Sequence, residues 1–582
     1  MLKFVVLLLA TAGLCCAAES AAVDWQPWGP ATFARAKAEG KLVLLDNAAE
    51  WCHWCHVMDR VTYHDPAVTA LIAQRFIAVK VDVDAHPDLA ERYGEWGWPA
   101  TIVFSPSMDE IKKLRGYFEP KLFRDVLADA VDQSDRTGGK GPFRPPERAA
   151  GPAAAGELTP GAVQSLRDKW EAELQGYFDP KGGGWGYRQK SSTWMNVEHA
   201  LVRHAATQKP YWEWRATMTL DRLTRIMDSV WGGVYQYSTD GDWEHPHFEK
   251  LMTYQAGTLE SYVRAALATG QAGYLDTAKK LHGYIAEFLR APDGAYLVSQ
   301  DADLSGGMDG HAYYALPDAA RRKAGLPRVD THEYARENGL AIAATVLLAQ
   351  ATQDDLLVAE ATRAAERVLG THALRGGVSH AESPAPDALL HLADNAAFGR
   401  GLLALYEATG EARWLAAARA VADALKRELF DDATGAFFAH SADAQAVGAL
   451  KERRRPVDDN VDAGRFFLRL AIHEDSDARR AVAARTLRWL SAGERPRELG
   501  RFIGSYLTFL EESSADPLHV KVVGPAAAPG TRALLAAALR LRHPFAIVRL
   551  EPSAGTPAAF GCTGSRCTPP IQDPARLIKL LK

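Results

Sequence analysis

The chain is 582 residues long, carries a formal net charge of −5, and is 47% hydrophobic. That length allows several domains with large cores, and the slightly acidic balance excludes a basic footprint for nucleic acid. Lys3, the apolar run 4–10 and small residues as far as Ala18 have the charged start and apolar middle of a signal peptide. Cleavage is expected after Ala18 or Ala22, so residues 1–22 are assigned to it and the mature protein is expected to be exported, periplasmic or secreted. Cys15 and Cys16 fall inside this segment, behind residues that match a lipoprotein cleavage box poorly. The mature chain then holds two close pairs, Cys52 with Cys55 and Cys562 with Cys567, as expected in an oxidising compartment. No membrane span is expected in it, since the best later run, 533–548, is broken by Arg540, Arg542 and His543.

Residues 23–134 read as a first domain of ordinary size. A short helix is expected to end across 34–40, buried strands to cover 41–47 and 76–83, a hairpin 101–104 and 111–117, and a closing helix 120–130. After the first strand comes Trp51-Cys52-His53-Trp54-Cys55-His56, a Cys-x-x-Cys turn opening a helix. A thiol at a helix N-terminus feels the positive end of the dipole, which lowers its pKa from about 8.5 to roughly 3.5–7.5. Cys52 is thus the expected exposed nucleophile, and Cys55, further in, the group that resolves a mixed disulfide. Two other readings stand beside this one. Cys52, His53, Cys55 and His56 are zinc-type donors, although neighbours at a helix start point in different directions and rarely supply four tetrahedral ligands alone. A purely structural disulfide is the other.

The strand, the Cys-x-x-Cys helix and the later Trp98-Pro99-Ala100-Thr101 together resemble a thioredoxin redox site. The resemblance implies that Asp46, six positions before Cys52, is a buried acid that helps move the proton of the inner sulfur. It also implies that Pro99 is a cis-proline set against the two sulfurs, offering backbone to a substrate strand. With no fixed cation evident in the sequence, Asp46 is expected to have a raised pKa through loss of water. His53-Trp54 departs from thioredoxin's Gly-Pro at positions that help set the potential.

Residues 135–158, rich in Gly, Pro and Ala, read as a linker. Over 159–515 the apolar period is helical, as in 414–430, where Leu415, Ala418, Ala422 and Leu425 share one face. A loop signature recurs between such helices: Gly184-Trp185, Gly233-Val234-Tyr235, Gly294-Ala295-Tyr296, Gly377-Val378 and Gly435-Ala436-Phe437. Helix pairs with such turns indicate a repeat array, and closing it on itself gives an α/α toroid with the turns gathered at one mouth. Residues 516–582 alternate again, with strands expected at 520–523 and 545–548 around an Ala/Leu-rich helix, forming a small α/β segment. The fold class expected is therefore multidomain: an α/β thioredoxin-like fold, an all-α toroid and a small α/β tail.

The whole arrangement resembles the spermatogenesis-associated protein 20-like family, which joins a thioredoxin-like domain to a six-hairpin, glycosidase-like toroid. The matching stretches are the Cys-His-Trp-Cys-His block, Trp243-Glu244-His245-Pro246-His247-Phe248-Glu249-Lys250, Asp301-Ala302-Asp303, Asn338-Gly339-Leu340 and Asp394-Asn395. Toroids of this type resemble glycosidases and sugar epimerases. By that resemblance Trp243, His247, Glu249, Asp301, Asp303 and Asp394 are candidate pocket residues at the mouth, with Tyr237 as a stacking neighbour. Paired carboxylates about 5–10 Å apart suit glycoside hydrolysis and histidines suit proton transfer, while the same residue types also cap helices and lock turns. Cys562 and Cys567 read as a structural disulfide or as a relay pair for Cys52 and Cys55. The expected function is thiol–disulfide exchange with protein thiols and disulfides, with a toroid that binds a carbohydrate or a protein partner. The competing class is a carbohydrate-active toroid carrying a structural thioredoxin-like module. No cofactor and no metal is implied.

Overall fold

The computed structural model of the chain describes residues 22–139, 158–304, 308–564 and 566–581. All but the last residue of the expected signal peptide lies outside these, as does 140–157 of the expected linker. The chain divides into two compact units. One is drawn from Met1–Ala48, Trp54–Val81 and Trp96–Pro142, the other from Ala49–His53, Asp82–Glu95 and Phe143–Lys582.

In the first unit, β1 (Trp25–Gln26), β2 (Leu42–Ala48), β3 (Phe76–Asp82), β4 (Ala100–Phe104) and β5 (Glu110–Arg115) form one sheet in the order β1-β3-β2-β4-β5. β1 runs parallel to β3, while β4 is antiparallel to both β2 and β5. β2 is buried along its whole length, which is why it opens as an unbroken apolar run instead of alternating. The helices are α1 (Pro30–Glu39), α2 (His53–Val61), α3 (Pro66–Arg75), α4 (Pro87–Tyr93) and α5 (Pro120–Thr137), with α4 belonging to the second unit. α3 starts where the Asp65 carboxylate accepts the N–H groups of Ala67 and Val68, ahead of a proline whose φ is already helical. α5 runs past the boundary read at residue 134, ending only at the left-handed Gly138. Met58 of α2, Ile72 of α3 and Phe123 and Leu127 of α5 meet Leu44 and Val103 in one core.

The second unit is mostly a ring of helical hairpins. Its helices are α6 (Pro160–Tyr177), α7 (Trp194–Thr207), α8 (Pro210–Leu223), α9 (Met252–Thr269) and α10 (Ala272–Phe288). After two short pieces, α11 (Gly310–Tyr314) and α12 (Asp318–Ala324), come α13 (Ala335–Thr352), α14 (Asp355–Thr371), α15 (Leu392–Thr409), α16 (Ala412–Glu428), α17 (Val457–Glu474), α18 (Asp477–Leu490) and α19 (Gly504–Ser514). The inner helices α7, α9, α13, α15, α17 and α19 pack in succession, and α19 returns to α7, so the ring closes. Close approach between inner helices needs glycine. A Cβ on Gly339 of α13 would stand 2.4 Å from the backbone of Ala397 in α15.

One device fixes the turns to the ring. The amide of Gln255 in α9 accepts from the N–H of Val234 and donates to its carbonyl, both at 2.8 Å. Asn338 does the same for Tyr296, Asn395 for Val378 and Asn460 for Phe437. Each of those partners belongs to one of the glycine-led turns, so a buried amide pairs the backbone of a loop that would otherwise lose its hydrogen bonds on burial.

The tail forms a four-stranded sheet around Leu518–Gly524, which pairs parallel with Ala546–Pro552 and antiparallel with Ala558–Thr563. The helix α20 (Pro529–Ala538) makes the parallel crossover, and α21 (Pro574–Leu580) packs on it. Among the described residues no helix is long and apolar enough to cross a membrane.

Candidate functional site

α2 begins at His53, immediately after Cys52, and Cys52 and Cys55 are disulfide-bonded. Joined in this way, neither sulfur offers a thiolate to a metal. The sequence led us to expect an exposed nucleophile, but Cys52 and Cys55 are each only 3% exposed. Ala49–His53 belongs to the second unit, where the carboxylate of Glu249 accepts the His53 backbone N–H. Trp54, the other residue between the cysteines, is 42% exposed and tilts over Tyr117 at 5.6 Å. The Trp98-Pro99 bond is cis, and the Pro99 carbonyl accepts from the N–H of Gly116 at 2.9 Å.

Asp46 sits on β2, fully buried. Loss of water pushes its carboxyl up to about 6, against the pull of Lys80, whose Nζ lies 3.6 Å away. That lysine corrects the expectation of no fixed cation. It lies on β3, beside β2 in the sheet, and also pairs with Asp59.

The six toroid candidates do not share one place. Four gather around His53. Asp303 Oδ2 lies 2.6 Å from the His53 Nδ1, and Asp301 Oδ1 accepts the Asp303 backbone N–H at 3.0 Å. Glu249 is pushed up to about 7 by burial, and His247 is pushed down to about 4 by burial and by the charge on His53. His247 is also stacked on Tyr237 with ring centres 4.1 Å apart. Asp394 stands elsewhere, at the start of α15, with both carboxylate oxygens 3.1 Å from the Nδ1 of His380. Burial works against a charge on His380, but Asp394 carries its pKa up to about 9. Trp243 is a packing residue, its indole N–H donating to the Gly182 carbonyl at 2.9 Å and its ring lying over Gly184.

Sequence reasoning did not single out the acids at the end of β3. Trp51, next to Cys52, donates its indole N–H to Asp84 at 2.6 Å, and the Asp84 carbonyl lies 2.6 Å from the Nε2 of His380. Burial, reinforced by Glu337, pushes the Asp84 carboxyl up to about 7. The Asp82-Val83-Asp84 pattern at a strand end was the available signal. Glu50, Asp82 and Asp330 bring carboxylate oxygens within 4.8 Å of one another. Arg328 pairs with Glu50, and His332 lies 2.6 Å from Asp330.

A cavity of about 290 Å³ lies among α7, α9, α13, α15, α17 and the stretch 538–548. Its charged lining includes Glu198, Glu260, Arg264, Arg400, Asp462 and Arg465, and none of the six candidates. Glu198 is held well below the usual carboxylate range because Arg465 and Arg264 outweigh its burial.

In the tail, Cys562 and Cys567 face each other on adjacent antiparallel strands and are joined as a disulfide, with Cα atoms 4.1 Å apart.

Residues 9–127 match a family described as "Protein of unknown function, DUF255", a DsbH-like thioredoxin group. A thioredoxin H-type of Fagopyrum esculentum is 32% identical over 108 residues, which are 18% of this chain and 85% of that one. Human spermatogenesis-associated protein 20 is 27% identical over 314 residues, 48% of this chain. The chain spans only 39% of that relative's length. A cellobiose 2-epimerase of Bacillus thermoamylovorans superposes with a TM-score of 0.46 and 13% identity, over 60% of this chain and 99% of that one. The chain thus has a thioredoxin-like domain ahead of a closed ring of helical hairpins, and over 48% of its length it is similar to spermatogenesis-associated protein 20.

Proposed function

We propose that this is an exported thiol–disulfide oxidoreductase acting through Cys52 and Cys55. The observation that carries the reading is the disulfide at the start of α2. In the reduced form the thiolate of Cys52 attacks a partner disulfide. A Cys52–partner bond forms, the partner's own S–S bond breaks, and one partner thiolate leaves. Cys55 then attacks the Cys52 sulfur, which restores the Cys52–Cys55 disulfide and releases the partner's second thiolate. Two electrons pass to the partner, whose sulfurs take up the two protons. The reverse sequence oxidises a partner dithiol.

Reduced Cys55→Ser should accumulate mixed disulfides with disulfide-containing exported proteins, and Cys52→Ser should accumulate none. Equal trapping by both variants would sink the assignment of roles. Export is tested by the start of the mature chain, expected at Glu19 or Val23. A second reading, a toroid that takes a carbohydrate, draws on the cavity among the inner helices, whose paired charges are arranged about a space of small-molecule size. Calorimetric titration of neutral and acidic oligosaccharides, with Asp462→Ala as the control, tests it.

A further inference from the structure

We propose that Asp303, a toroid-loop residue 250 positions from the cysteine motif, is a positioning residue of the redox site: by holding the His53 imidazole it sets the reduction potential of the Cys52–Cys55 pair. The inference rests on the thiol–disulfide reading above, and its test reads the potential itself.

His53 directly follows Cys52 and is the first residue of α2. A positive charge beside such a thiol favours the thiolate, hence the reduced pair, and makes the disulfide a stronger oxidant. An imidazole alone is mostly neutral above pH 7, so the charge has to be held there by a partner. Asp303 supplies it, with Oδ2 2.6 Å from Nδ1 and its side chain largely shielded from solvent.

The acid is itself braced. The Asp303 N–H donates to Asp301, and the Asp301 N–H donates to the Arg328 carbonyl at 2.8 Å. From the same unit Glu249 accepts the His53 backbone N–H, and His247 lies close enough to feel the charge of the ring. The pairing with Asp303 therefore fixes both the charge and the orientation of the ring.

The experiment equilibrates the full chain with glutathione at pH 7.5, where two glutathione thiols and the Cys52–Cys55 disulfide exchange with glutathione disulfide and the dithiol. Asp303→Asn keeps the shape and an oxygen for Nδ1–H but removes the charge. The equilibrium constant for reduction should fall about tenfold, a potential about 30 mV more negative. Asp303→Glu, which keeps the charge, should stay near the wild-type potential. In a His53→Ala background, Asp303→Asn should be silent. An unchanged potential in the single variant, or an equal shift with and without His53, overturns the proposal, because a merely structural Asp303 would move the thermal midpoint and not this couple. A wild-type pair that equilibrates with glutathione yet transfers nothing to disulfide substrates removes the exchange reading, and the potential shift still decides the role of Asp303.

Discussion

Asp46 and Glu249 are both pushed up by loss of water, and their pH dependence has the same sign. For Asp46 the fold favours the protonated form, so the group weakens the fold as pH rises from its ordinary value of 3.8 through about 6. Asp46→Asn should therefore raise stability at pH 7.5 by about 2–3 kcal/mol and bring no gain near pH 3.5, read as urea midpoints at the two values. The same variant should slow disulfide exchange near neutral pH. For Glu249 the window moves to between 4.5 and about 7, and Glu249→Gln should stabilise at pH 8.5 but not at pH 4.5. An unchanged midpoint for Glu249→Gln at pH 8.5 would mean that the carboxylate is solvated after all. Burial of Asp46 was legible in its position on an apolar strand. Lys80 was not, because it reaches Asp46 from a strand paired only in the folded sheet.

The glycine-led turns were visible as a repeat, yet the amides that hold them were not, because partner and turn lie 17 to 42 residues apart. Asn395→Ala would strand the N–H and carbonyl of Val378, each fully buried, at about 1–3 kcal/mol per group. A fall of several degrees in the thermal midpoint, with the exchange potential unchanged, is the expected result. Gly339→Ala should also destabilise, since its new methyl meets the backbone of α15 and neither helix can retreat without opening the ring. The helices themselves were legible from periodicity and caps. The strand ends were less so, because an element stops where its hydrogen-bond partner stops.

For the whole chain, the second cysteine pair separates a structural role from a relay. The Cys562–Cys567 bond closes a loop with a sequence separation of only 5, so its removal should cost about 2 kcal/mol of stability in the tail sheet. Replacing both with serine should leave the rate of exchange at Cys52 and Cys55 unchanged, and a loss of turnover would restore the relay reading. Amino-acid pattern alone determined the order of the parts, the nature of the cysteine turn and the helical repeat, because these depend on residues close in sequence. It also named His247, Glu249, Asp301 and Asp303, though for a sugar pocket. Tertiary structure decided that they gather around His53, that Asp394 and Trp243 stand apart, and that the cavity lies among other residues. The physical reason is that residue type limits what a side chain does, whereas its partner is chosen by ring closure and by the seating of Ala49–His53 and Asp82–Glu95 in the second unit, long-range contacts that no local period records.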